Sequence, residues 1–119
     1  MDSSTFIPSL LASVPEFIAD PEDVVDGLTY PIANDLGRAV CERSWDESFV
    51  ASVVDFLEKA CLTGDRDVVD LIDECLITMD ESDQMQSLEG HLKANTRKLL
   101  EWNRAHRNKS GPLRPSLLD

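Results

Sequence analysis

Apolar side chains recur every three to four positions along most of this chain, the spacing that places them on one face of an α-helix. Phe6, Leu10, Leu11, Val14, Phe17 and Ile18 form a first stripe. Ser3, Ser4 and Thr5 are capping residues ahead of it, and Pro8 is tolerated in its opening turn. Pro15 is expected to bend or divide this helix. Residues 20–26 carry Asp20, Glu22, Asp23 and Asp26 and read as an acidic turn with at most one turn of helix, closed by Gly27. A further helix begins near Pro31 and sets Ile32, Leu36 and Val40 on one face, with Gly37 permitting close approach of a neighbour.

Asp46 is a suitable N-cap for the next helix, whose broad apolar face is Phe49, Val50, Val53, Val54, Leu57, Ala60 and Cys61. Leu62-Thr63-Gly64-Asp65 is a link of the length that joins antiparallel helices, so residues 46–79 read as a helical hairpin. Its second arm buries Val68, Val69, Ile72, Cys75, Leu76 and Met79, and turns Asp67, Asp70 and Glu74 outward. After the acidic break 80–83, Met85, Leu88, Leu92, Asn95, Leu99 and Trp102 are spaced as one long helix running to about Arg107, with Asn95 a buried or half-buried polar group bonded to a neighbour. Together these elements predict an all-α fold: a compact bundle of about five helices in a single domain over residues 1–107, built around the 46–79 hairpin, with 108–119 as a mobile tail.

A chain of 119 residues buries enough surface to fold without a metal or disulfide. Its 42% hydrophobic and 29% charged content is that of a globular protein, and with only 6% aromatics the core should be aliphatic. The three cysteines, Cys41, Cys61 and Cys75, are odd in number, widely spaced and set in apolar patterns, which is reduced, intracellular usage. Met1-Asp2-Ser3-Ser4 has no basic group and no apolar run reaches the length of a membrane span, so the expected location is the cytoplasm.

Charge changes the functional picture most. The net charge is −12, and it is divided: residues 1–90 carry −17 and residues 91–119 carry +5. Such an excess disfavours nucleic-acid backbones and anionic membranes and suits a basic protein partner, although solubility alone is a second account of it. The bases near the end, Lys93, Arg97, Lys98, Arg104 and Arg107, are expected to neutralise acidic neighbours after folding.

Candidate chemistry is sparse. His91 and His106 are too far apart in sequence for a local metal motif, and the acidic clusters lack the order of a calcium loop. The glycines stand singly with no phosphate-cradling loop, and the cysteines have no adjacent base. The expectation is therefore a binding protein, neither an enzyme nor dependent on a cofactor. The partner-binding candidates are Asp67, Asp70 and Glu74, with Asp55 on the outer face of the preceding helix and Asp20, Glu22, Asp23 and Asp26 in the acidic turn.

Val14-Pro15-Glu16-Phe17, then Phe56-Leu57-Glu58-Lys59-Ala60, Gly64-Asp65 and Val68, Val69, Leu71, Ile72 and Leu76 resemble a family of small, acidic, helical bacterial proteins, some of them immunity proteins of polymorphic toxin systems. The resemblance spans about residues 10–100. It implies stoichiometric neutralisation of a cognate toxin domain, with acidic groups standing in for a phosphate-bearing substrate or pairing with basic residues of the toxin. The acidic turn and the basic end of the last helix fall outside the pattern, so no contact residue carries over. The alternative is an adaptor or scaffold in which the hairpin acts like one unit of a helical repeat and binds a peptide.

Overall fold

The computed structural model describes residues 1–106, which form seven α-helices with no strand among them. They are α1 (Ser3–Ser13), α2 (Pro21–Asp26), α3 (Thr29–Glu42), α4 (Glu47–Thr63), α5 (Arg66–Asp80), α6 (Met85–Glu89) and α7 (Ala94–His106). The expected tail 108–119 and the last residue of the expected domain, Arg107, lie outside the described residues.

Local chemistry explains most boundaries. Asp2, not the serines after it, caps α1: its carboxylate accepts from the Thr5 amide at 3.0 Å while the Thr5 hydroxyl accepts from the Asp2 amide, a reciprocal capping box. Pro8 is accommodated within α1, and the helix stops at Ser13 because Pro15 disfavours helical backbone at Val14. Ile18, expected on the stripe of this helix, consequently falls beyond it and is 91% exposed. Asp20 caps α2, and Gly27 ends it in the left-handed region at φ 67°, which glycine adopts without strain. Asp46 and Asp65 cap α4 and α5 as their positions suggested, through the Phe49 and Val68 amides.

α5 is the axis of the bundle, packing against α1, α3, α4 and α7. Its closest partner is α3, and Gly37 is the reason: a Cβ there would lie 2.8 Å from the Cys75 carbonyl oxygen and 3.1 Å from Thr78. Beside this contact the Thr78 hydroxyl donates to Asn34 Oδ1 at 2.8 Å. The core is largely aliphatic, with Leu10, Ile32, Leu36, Val53, Leu57, Ile72, Leu76 and Leu99 all essentially inaccessible. Phe6 meets Phe56 edge-on at 5.7 Å between ring centroids. Val69, expected in the core, is only half-buried against it.

The expected single C-terminal helix is two. α6 ends at Glu89, residues 90–93 turn, and α7 starts at Ala94. Arg97 holds the break from inside α7 by donating to the carbonyls of Glu89 and Leu92 at 3.2 and 3.0 Å. The start of α7 is fixed from another helix. Glu58, on α4, accepts from the Asn95 and Thr96 amides at 3.1 and 2.9 Å, from Asn95 Nδ2 at 2.8 Å and from the Thr96 hydroxyl at 3.0 Å. Glu58 thus does for α7 what a local N-cap does elsewhere.

Candidate functional site

The eight acidic candidates do not share one role. Asp55 is exposed and pairs with Lys93, so its charge is answered within the chain. Asp67 is exposed in the first turn of α5, where a carboxylate suits the helix dipole. Asp70 and Glu74 are half-buried, because α5 is packed on several sides and has only a narrow outward face. Glu74 lines a shallow groove with Asn34, Arg38, Thr78 and Glu81.

α2 gathers the other four. Asp20 is committed to the cap, its carboxylate accepting from the Glu22 amide at 2.9 Å. Glu22 and Asp26 are exposed and Asp23 is half-buried, and among the described residues none of the four has an ion pair. Asp23 registers the crowding: loss of hydration, and then Asp20, Asp35, Glu22 and Asp26, push its carboxyl above the usual carboxylate range. α2 buries none of its residues fully and rests on α3, with Val24 half-buried against the core.

Two further grooves meet here. One, of about 420 Å³, has Phe17, Ala19 and Ala39 among its apolar lining and Asp20, Asp35 and Glu42 among its acids. The next is formed by Pro21, Glu22, Val25 and Asp26, and shares Pro21 with the first. Arg38 lines both the first of these and the Glu74 groove, so Glu74 and Asp20 lie in hollows that share one side chain. Arg38 is the one cation lining any of the three, and it is paired with Asp35 on its own helix.

The pattern reading names Asp20, Glu22, Asp23 and Asp26 here but neither Asp35 nor Glu42, and it misses the apolar part of this surface. Ile18, 91% exposed, and Val25, 84% exposed, stand among the carboxylates. Trp45, 77% exposed, lies on the α3–α4 corner, which Arg43 ties to the α1–α2 loop by donating to the Glu16 carbonyl at 3.3 Å. The spacing places Ile18 on the first apolar stripe and Val25 on no face. The available signal was Pro15, which ends α1 before Ile18 and removes that residue from the stripe.

Of the bases near the end of the chain, Lys93 and Arg104 meet acids as expected, Arg97 takes backbone carbonyls instead, and Arg107 lies outside the described residues. Besides Lys93 on Asp55, Arg104 bridges Asp80 at 2.7 Å and Glu89 at 2.5 Å, tying α7 to α5 and α6. His106 stacks on Trp102 with 4.8 Å between ring centroids, and its Nδ1 lies 2.9 Å from the Trp102 carbonyl oxygen. Cys41, Cys61 and Cys75 are free and buried. Burial pushes all three thiols up, Cys61 to about 12, against hydrogen bonds that pull Cys41 and Cys61 back. No helix among the described residues is long and apolar enough to cross a membrane. Compared with known proteins, the chain matches no family model, no curated protein and no solved structure.

Proposed function

We propose that this chain is a stoichiometric binding protein of the cytoplasm that neutralises a basic protein partner, a cognate bacterial toxin domain, through its acidic surface. The observation that carries this is the grouping of Asp20, Glu22, Asp23 and Asp26 on one short helix with no ion pair among the described residues, beside grooves lined by further acids and one already paired cation. Like charges gathered on one helix repel: after loss of hydration, Asp20, Asp35, Glu22 and Asp26 each add to the rise of the Asp23 carboxyl. A cationic surface laid over them relieves that repulsion and is drawn in from a distance.

In this reading the partner is inhibited by occupancy: the rigid α2–α3 face covers a basic substrate-binding cleft and no bond is made or broken. No cofactor is required. Support for α2 over the α5 stripe comes from the partial burial of Asp70 and Glu74, while Asp55 is already paired. The hairpin-adaptor alternative gains nothing from the packing, since α4 and α5 are covered by α1, α3 and α7.

The test is coexpression with the product of the gene directly upstream. The chain should restore growth to cells making that protein and co-purify with it in a fixed ratio. Glu22→Gln with Asp23→Asn and Asp26→Asn, leaving the Asp20 cap intact, should slow association at low salt and leave thermal stability nearly unchanged. Asp67→Asn with Asp70→Asn and Glu74→Gln should affect association less. Absence of both protection and complex would overturn the proposal, and a larger effect of the second set would move the interface to α5.

A further inference from the structure

The feature that acidity alone does not explain is the apolar ridge within it. Ile18, Pro21 and Val25 lie along one edge of the α2 region: Ile18 and Pro21 both border the larger groove, and Pro21 and Val25 both border the smaller. Pro21 and Val25 are one helical turn apart on α2, and Glu22 and Asp26 repeat that spacing one position on, so an apolar row and an acidic row run side by side. Across the larger groove Glu42 supplies an acid from α3, and Phe17, only 6% exposed, belongs to its apolar lining. Ile18 and Val25 are among the most exposed large apolar side chains of the described residues, at 91% and 84%.

We infer that this ridge is the docking surface for an amphipathic helical segment of a basic protein, whose apolar stripe packs on Ile18, Pro21 and Val25 while its Lys or Arg residues reach Glu22, Asp26 and Glu42. The inference rests on the chain being a binder of a basic protein and specifies how that protein is held. A helix whose apolar residues recur at three and four positions presents a stripe to the ridge and flanks it with charges, and the groove-bound helix is a recurring mode of recognition. Charge complementarity selects this occupant. A second copy of the chain would bring carboxylates onto carboxylates, and an anionic membrane or a nucleic acid would meet the same repulsion.

The probe is a synthetic amphipathic Leu/Lys helix, with a Leu/Glu helix of the same pattern as control, added to the full-length isotope-labelled protein. The Leu/Lys peptide should shift the amide signals of residues 17–26 and 38–42 and leave those of α7 in place. The Leu/Glu peptide should not bind. Ile18→Ser with Val25→Ser, both on exposed side chains, should weaken the Leu/Lys peptide about tenfold at constant salt with the melting temperature unchanged. Unchanged affinity in that double variant, shifts centred on the Glu74 groove, or no binding overturns the inference. So does a concentration-dependent dimer of the free protein that Ile18→Ser abolishes, because the ridge would then be covered by a second copy. The two readings fail separately: if the double variant still neutralises the upstream gene product while the α2 charge variant does not, the helix-docking ridge is wrong and the acidic binder stands.

Discussion

Glu58 joins α4 to the start of α7 through one carboxylate, and its charge state should be measurable as stability. Burial pushes its pKa up, but hydrogen bonds from the Asn95 side chain, the Thr96 amide and hydroxyl and the Asn95 amide outweigh burial, so the folded group ionises below its ordinary range. A lowered folded pKa means stability that is fully present above the unfolded value, about 4.3, and lost as pH falls through the folded value. Glu58→Gln should cost about 1–3 kcal/mol at neutral pH, because one acceptor oxygen cannot serve the same donors. Denaturant melts across acidic pH should show the gap between wild type and variant closing as the wild-type carboxylate protonates. A gap that does not depend on pH would mean that the charge does not hold α7. The buried thiols give a second test at this scale. With burial raising Cys41, Cys61 and Cys75, a thiol reagent at neutral pH should modify the folded protein slowly, and rapidly only once denaturant is added.

At the scale of elements, two glycines predict opposite outcomes. Gly37→Ala should destabilise the protein despite the better helix propensity of alanine, because the added Cβ would press on the Cys75 backbone and force α3 from α5. Gly90→Ala should be neutral or stabilising by up to about 1 kcal/mol, since Gly90 has an ordinary helical φ of −63° and open space where the side chain would go. Equilibrium unfolding of the two variants checks both signs. The role of Gly37 was legible in the sequence because it interrupts an otherwise regular apolar face. The break before α7 was not: Met85, Leu88, Leu92, Asn95 and Leu99 keep helical spacing straight through it, and Gly90 is the only irregular residue. What stops the helix there is tertiary. Arg97 takes carbonyls at the end of α6 and Glu58 takes amides at the start of α7, and neither partnership leaves a pattern in the local sequence.

For the molecule as a whole, Leu57 and Ile72 lie in one core with Leu36 and Leu99, and Leu57→Ala or Ile72→Ala should each cost about 2–5 kcal/mol in denaturant unfolding. A loss below about 0.5 kcal/mol would place the residue at the surface. This core was readable from periodicity alone. Which acids remain available was not, because that depends on Lys93 reaching Asp55 and on how deeply α5 sits among its neighbours. The distant cap on α7 also bears on synthesis. Glu58 leaves the ribosome well before Asn95, its side-chain donor 37 positions on, so the emerging chain carries a solvated carboxylate and a hairpin whose α7-facing side is still wet. Closure of the bundle waits for the last described helix, and until then the apolar sides of α4 and α5 that it covers are open to chaperones or to neighbouring nascent chains.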